Sequence, residues 1–165
     1  MAKHKTLAFF IPHLGCPHRC SFCDQRAISS AQNPPAPESV AKACDEMLAK
    51  TPNLQNAEIA FFGGSFTAVD TAYQTALLEV VQPFLEKGKF DGIRISTRPD
   101  AIDATILERL QVYHVTAIEL GAQSMFDDVL QKKTGVVIRH RRYALQAGKF
   151  VQLAFHLVYS ICHGG

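Results

Sequence analysis

At 165 residues with 47% hydrophobic side chains, the chain can bury the core of one domain. Its 17 basic and 15 acidic residues leave a formal net charge of +2, which is too weak to indicate a nucleic-acid or membrane surface. No apolar window reaches the roughly 20 residues of a membrane-spanning helix, and five cysteines without a signal-peptide pattern at 1–5 point to a reducing, cytoplasmic setting.

Residues 6–11 are an apolar run rich in β-formers, flanked by lysines and stopped by Pro12, and are expected to be a buried strand. Next comes Cys16-Pro17-His18-Arg19-Cys20-Ser21-Phe22-Cys23, three cysteines spaced C-x3-C-x2-C. They are too close for ordinary long-range disulfides, and three is an odd number, so metal binding is the leading reading. Three soft thiolates on one loop suit an iron–sulfur cluster. In a 4Fe–4S cubane, three cysteines leave one iron open to a non-protein ligand. The alternative is zinc, with His13 or His18 as fourth ligand. Structural zinc sites usually draw ligands from two separated pairs, however, and no second pair exists here.

Asn33-Pro34-Pro35-Ala36-Pro37 marks a loop. Over 38–50, Val40, Cys44, Met47 and Leu48 recur at helical spacing, which makes Cys44 a small core residue and not a ligand. Residues 58–62 are the second expected strand, ending in Gly63-Gly64-Ser65-Phe66-Thr67. Tyr73, Leu77, Val80, Val81 and Phe84 mark a long helix with Pro83 near its end. A third strand at 92–96 leads into Thr97-Arg98-Pro99-Asp100, and Asp103 is a good N-cap for a helix carrying Ile106, Leu107 and Leu110. A fourth strand at 117–120 ends in Gly121-Ala122-Gln123. Ser124 and Asp127 then open a further helix, with Lys132 and Lys133 in its last turn and Gly135 beyond. Strand and helix alternate throughout, which predicts an α/β fold with parallel strands. Each candidate stretch directly follows a strand, so all should gather at one end of the sheet.

Cys16, Cys20 and Cys23, with Phe22 before the last, resemble the signature of the radical S-adenosylmethionine (radical SAM) enzymes. Phe10-Ile11-Pro12-His13-Leu14-Gly15-Cys16-Pro17 is similar to the entry to that signature in the Elongator-protein-like group, near the methylthiotransferases and oxygen-independent coproporphyrinogen oxidases. The resemblance covers about 6–135 and implies a partial (β/α) barrel of radical SAM type. It implies a 4Fe–4S cluster on Cys16, Cys20 and Cys23, with S-adenosylmethionine on the open iron. It also implies reductive cleavage of that cofactor to a 5′-deoxyadenosyl radical. An electron donor such as flavodoxin or ferredoxin is expected, tRNA is one candidate substrate, and no separate catalytic side chain is assigned.

The resemblance extends to three further stretches. Gly63-Gly64-Ser65 lies where the family has its GGE-type motif, where carbonyls could accept from the S-adenosylmethionine ammonium. A plain turn is the alternative. In Ile95-Ser96-Thr97-Arg98-Pro99-Asp100, the family implies cofactor hydrogen bonds from Ser96 and Thr97 and a carboxylate pair for Arg98. The alternative is a Pro99-Asp100 turn with Arg98 on a solvated edge. Glu119-Leu120-Gly121-Ala122-Gln123-Ser124 is similar to the family's Glu-Leu-Gly-x-Gln-Ser. A carboxylate in an apolar strand is costly to bury alone, so Glu119 should meet a ribose hydroxyl or Arg98. Gln123 is a second ribose candidate, with an ordinary loop amide as its alternative.

Beyond 135 the resemblance fades, so a single domain over 1–165 is expected, with a divergent tail at 136–165 and a barrel incomplete at the C-terminus. Arg139-His140-Arg141-Arg142 is read as a solvated helix face, with a nucleic-acid contact as the alternative, residues 150–158 look strand-like, and Cys162 with His163 is too little for a second metal site. A second reading therefore stands beside the enzyme: a catalytically incomplete fragment that binds an iron–sulfur cluster or zinc only.

Overall fold

The computed structural model describes residues 4–11 and 33–121 in full and the backbone of 156–160. In chain order the elements are β1 (Lys5–Ile11), α1 (Pro37–Lys50), β2 (Ala57–Gly63), a 3-10 turn (Phe66–Ala68) and α2 (Thr71–Glu86). There follow β3 (Ile93–Thr97), a 3-10 turn (Pro99–Ala101), α3 (Ala104–Val112), β4 (Val115–Gly121) and β5 (His156–Ser160). The strands form one sheet in the order β1-β2-β3-β4-β5, and every neighbouring pair is parallel. The α/β architecture expected from the alternation is therefore present. The strand-like run at 150–158 enters it as β5, its earlier part lying outside the described residues. The helix expected from Ser124 and the basic run at 139–142 also lie outside them.

Local chemistry explains where the helices begin. Pro37 opens α1, where a missing N–H costs nothing and a fixed φ is already helical. Asp70 caps α2 by accepting from the Tyr73 N–H at 3.0 Å, and Asp103 caps α3 by accepting from the Ile106 N–H at 2.8 Å. Left-handed residues turn the chain into two strands: Asn56 (φ 51°) before β2 and His114 (φ 58°) before β4.

The helices cover one face of the sheet. β1 sends Leu7, Phe9 and Ile11 to that face, β2 sends Ala57, Ile59 and Phe61, and β3 sends Ile93 and Ile95. They meet Val40 and Cys44 of α1, Leu77, Leu78 and Val81 of α2, and Leu107 and Leu110 of α3 in one cluster. Phe61 stacks between Phe9 and Phe66, with ring centroids 5.7 and 5.4 Å away.

β4 contains an irregularity that the sequence pattern hides. Val115 pairs with Ile93, but Ala117 pairs with Arg94, so Thr116 is an extra residue. Gly92 makes room for it, because a Cβ there would lie 2.3 Å from Thr116 Oγ1. After the bulge, Ile118 and Leu120 face the helices, and Ala117 and Glu119 share the opposite face with Arg94 and Ser96. Thr6 and Glu58 lie on that second face too, which we call the polar face.

Candidate functional site

The C-terminal ends of β1 to β4 are Ile11, Gly63, Thr97 and Gly121. Parallel pairing brings these ends to one edge of the sheet, and every stretch singled out from the sequence starts there. Cys16, Cys20 and Cys23 follow β1, and Gln123 follows β4; all four lie outside the described residues.

Gly63 is the point where β2 meets the root of the cysteine loop. It pairs with Ile11 and has φ +108°, and an added Cβ would stand 2.6 Å from the Ile11 carbonyl oxygen. The Gly64 N–H donates to that same oxygen at 2.9 Å. The first glycine is thus required by a close backbone approach as well as by an unusual φ.

Beyond Gly64 the side chains turn inward. Ser65 is 0% exposed, and Thr67 and Thr97 are buried beside it. Ser65 Oγ lies 2.8 Å from Thr97 Oγ1, and Thr97 Oγ1 lies 2.5 Å from Thr67 Oγ1. Thr67 also donates to the Ala101 carbonyl, and the Arg98 N–H donates to Ser65 Oγ at 3.1 Å. The Thr97 hydroxyl, expected to bond the cofactor, therefore bonds to Ser65, the third residue of the glycine stretch. Thr67 completes the group and was not singled out from the sequence. Its signal is the Ser-x-Thr spacing, which one turn of 3-10 helix folds toward the same neighbour.

Ser96 alternates with Thr97 and so occupies the polar face, opposite Glu119 in register. Arg98 grips Asp100 with two parallel bonds, Nε to Oδ1 at 2.9 Å and Nη2 to Oδ2 at 3.1 Å. The turn at Pro99 and Asp100 is real: residues 99–101 form a 3-10 turn.

Glu119 has a described partner, and it is not Arg98. Arg94 Nη1 donates to Glu119 Oε1 at 3.3 Å, while its Nε donates to Glu58 Oε1 at 2.7 Å. Thr6 Oγ1 adds a second hydrogen bond to that Glu58 oxygen at 3.3 Å. The hydrogen bond to Glu58 is the main cause that raises the Arg94 pKa, against desolvation and with help from the charges of Glu58 and Glu119. Arg98 misses Glu119 because it lies past the end of β3 and turns toward Asp100. Arg94 sits two residues before Ser96 on the same strand face. Glu58 and Arg94 escaped the sequence reading, although both are charges inside apolar strands and the cost of burying them alone was the available signal.

Of the two cysteines outside the cluster motif, Cys44 is described and is fully buried. Desolvation, helped by the Asp45 charge, pushes its thiol up to about 12. A neutral thiol in the core is no metal ligand, as the helical spacing predicted.

The family described as the Radical SAM superfamily matches residues 10–156. A curated relative, the tRNA uridine(34) acetyltransferase of Dehalococcoides mccartyi strain CBDB1, is 28% identical over 147 residues, covering 70% of this chain and 32% of the relative. Among solved structures, the radical S-adenosylmethionine methyltransferase TsrM of Kitasatospora setae, bound to tryptophan and a SAM analog, is similar in fold. Its TM-score is 0.63 at 15% identity, covering 94% of this chain and 30% of that one. The same enzyme with cobalamin and a [4Fe-4S] cluster gives 0.61 at 13% identity, covering 96% of this chain and 30% of that one. The archaeal Methanocaldococcus infernus Elp3, lacking its first 46 residues, gives 0.56 at 16% identity, covering 99% of this chain and 39% of that one. The chain thus spans about a third of the length of the relatives it matches.

Proposed function

This chain belongs to the Radical SAM superfamily, and from that membership we propose that Cys16, Cys20 and Cys23 hold a 4Fe–4S cluster beside bound S-adenosylmethionine. The donor set fits. Three soft thiolates leave one iron for a non-protein ligand, and the described Cys44 is withdrawn into the core. When bound, the cluster supplies the electron that reductively cleaves S-adenosylmethionine to a 5′-deoxyadenosyl radical.

The chain's own residues hold the cofactor in place. The observation that carries this reading is the contact between Ile11 and the glycine pair. Ile11 leads into the cysteine loop, and Gly64 is bonded to it. Carbonyls at Gly63 and Gly64, beside Ile11, would accept from the cofactor's ammonium. Arg98 offers its guanidinium to the carboxylate, in exchange with Asp100. On the polar face Ser96 and Glu119 offer a hydroxyl and a carboxylate to the ribose, with Gln123 following on the same connection. Arg94 pairs with Glu119 and fixes its aim.

For the substrate we propose tRNA, on the likeness to a tRNA-modifying relative. A soluble one-electron donor such as flavodoxin or ferredoxin would serve the cluster in a reducing cytoplasm. No helix among the described residues is long and apolar enough to cross a membrane.

The test is anaerobic reconstitution, with iron counting and assay of 5′-deoxyadenosine under dithionite. Wild type should bind about four irons per chain and release 5′-deoxyadenosine, and Cys16→Ala, Cys20→Ala or Cys23→Ala should each abolish stoichiometric iron. One tight zinc and no reconstitution would refute the cluster. Iron without 5′-deoxyadenosine would favour the binding-only reading.

A further inference from the structure

We propose that Ser65, Thr67 and Thr97 are positioning residues that clasp the loop after β2 to the loop after β3, and do not themselves touch the cofactor. This deepens the reading above and rests on it for the identity of the ligand.

The argument starts from hydrogen count. The Arg98 N–H can only donate and the Ala101 carbonyl can only accept, and both ends of the chain of bonds are therefore fixed. Each hydroxyl between them has one hydrogen. Thr67 uses its own on the Ala101 carbonyl. Its bond with Thr97 must then be donated by Thr97. Thr97 has no hydrogen left for Ser65, so Ser65 donates to Thr97. Ser65 in turn accepts from the Arg98 N–H. The order is single and directional: Arg98 N–H to Ser65, Ser65 to Thr97, Thr97 to Thr67, Thr67 to the Ala101 carbonyl.

Two consequences follow. No hydroxyl hydrogen remains in the group to donate to a ligand. The bonds also polarise one another, so the three side chains act as a unit in their dry setting. The four bonds each cross between residues 65–67 and 97–101, which are joined along the backbone only through α2 and β3.

Position supports the same conclusion. Thr97 has the parity of Ile93 and Ile95, which face the helices, whereas Ser96 lies on the polar face. The clasp sits behind the strand ends, and what it holds in register are Gly63 and Gly64 on one loop and Ser96 and Arg98 on the other. The hydroxyls at 65 and 97 thus act through these groups.

The experiment combines hydrogen exchange with a double-mutant cycle. Thr67→Val, Thr97→Val, the double variant, Ser65→Ala and Thr97→Ser are compared with wild type after reconstitution. Without any ligand, Thr67→Val should raise exchange of the Arg98 amide, which itself donates to Ser65. This readout stands even if the protein does not bind S-adenosylmethionine, so failure of the cofactor reading is seen separately in wild-type calorimetry. With S-adenosylmethionine, both valine variants should bind about tenfold more weakly at unchanged iron content. The double variant should be no worse than either single, and Thr97→Ser should recover near wild-type affinity. Unchanged Arg98 exchange in Thr67→Val would overturn the clasp. So would a neutral Thr67→Val beside a damaging Thr97→Val, because that pattern marks Thr97 as a direct contact.

Discussion

Cys44 lies in the core, and its chemistry can be forecast alone. It is fully buried in α1 beside Val40, and its thiol rises from an ordinary 9.0 to about 12, first through desolvation and then through Asp45. Thiolate is the nucleophile, so a thiol held protonated in the core should resist alkylation. Iodoacetamide at pH 8 should leave Cys44 unmodified in the native protein and label it fully in urea, as read by peptide mass spectrometry. Native labelling of Cys44 would show that α1 opens readily. The raised value also sets a direction for stability. The unfolded thiol ionises near 9.0 while the folded one stays protonated, so the contribution is complete below pH 9 and is lost as pH rises toward 12.

Turns and strand ends carry the fold's tightest constraints. Gly63 combines φ +108° with a backbone oxygen 2.6 Å from where its Cβ would be, whereas Gly88 has φ +62° and open space around the same position. Alanine at 88 meets only the left-handed conformation, at about 1 kcal/mol. Alanine at 63 meets both that strain and the Ile11 carbonyl, and should cost at least ~2 kcal/mol. Because Ile11 leads to Cys16, Gly63→Ala should also lower iron retained after reconstitution, and Gly88→Ala should not. Urea denaturation with iron counting decides it, and equal behaviour of the two variants would remove the proposed link between Gly63 and the cysteine loop. Most elements were legible from period and punctuation: Asp103 capped the helix it was expected to cap, and β1 to β3 end within a residue of the expected positions. The Thr116 bulge was not legible. A single extra residue in β4 follows from its fit against Gly92 and Thr116's bond to the Ile93 carbonyl at 3.3 Å, and no local pattern announces it.

Across the whole sheet, the parallel α/β architecture was legible because strand and helix alternate along the chain, and the sequential strand order then follows from placing each strand beside the last. The side-chain partnerships were not, because they depend on which face each residue takes. That the hydroxyls of Ser65 and Thr97 bond to each other has no local signature, and Glu119 found Arg94 because the bulge put both on the polar face. The resulting Glu58–Arg94–Glu119 bridge ties β2, β3 and β4 together on the side opposite the helix-covered core. Its members keep only 10% to 25% of their side-chain surface exposed, so screening by water is partial. Removing the guanidinium should leave two largely buried carboxylates without the guanidinium between them. Arg94→Met is therefore expected to cost ~1–3 kcal/mol in urea denaturation. Removing all three charges together takes away the repulsion and the stranded charge at once. The triple variant with Glu58→Gln and Glu119→Gln should recover a large part of that loss, with strong non-additivity between the sites. A triple variant less stable than Arg94→Met would mean that each carboxylate is held by something other than Arg94, and that the bridge does not couple the strands.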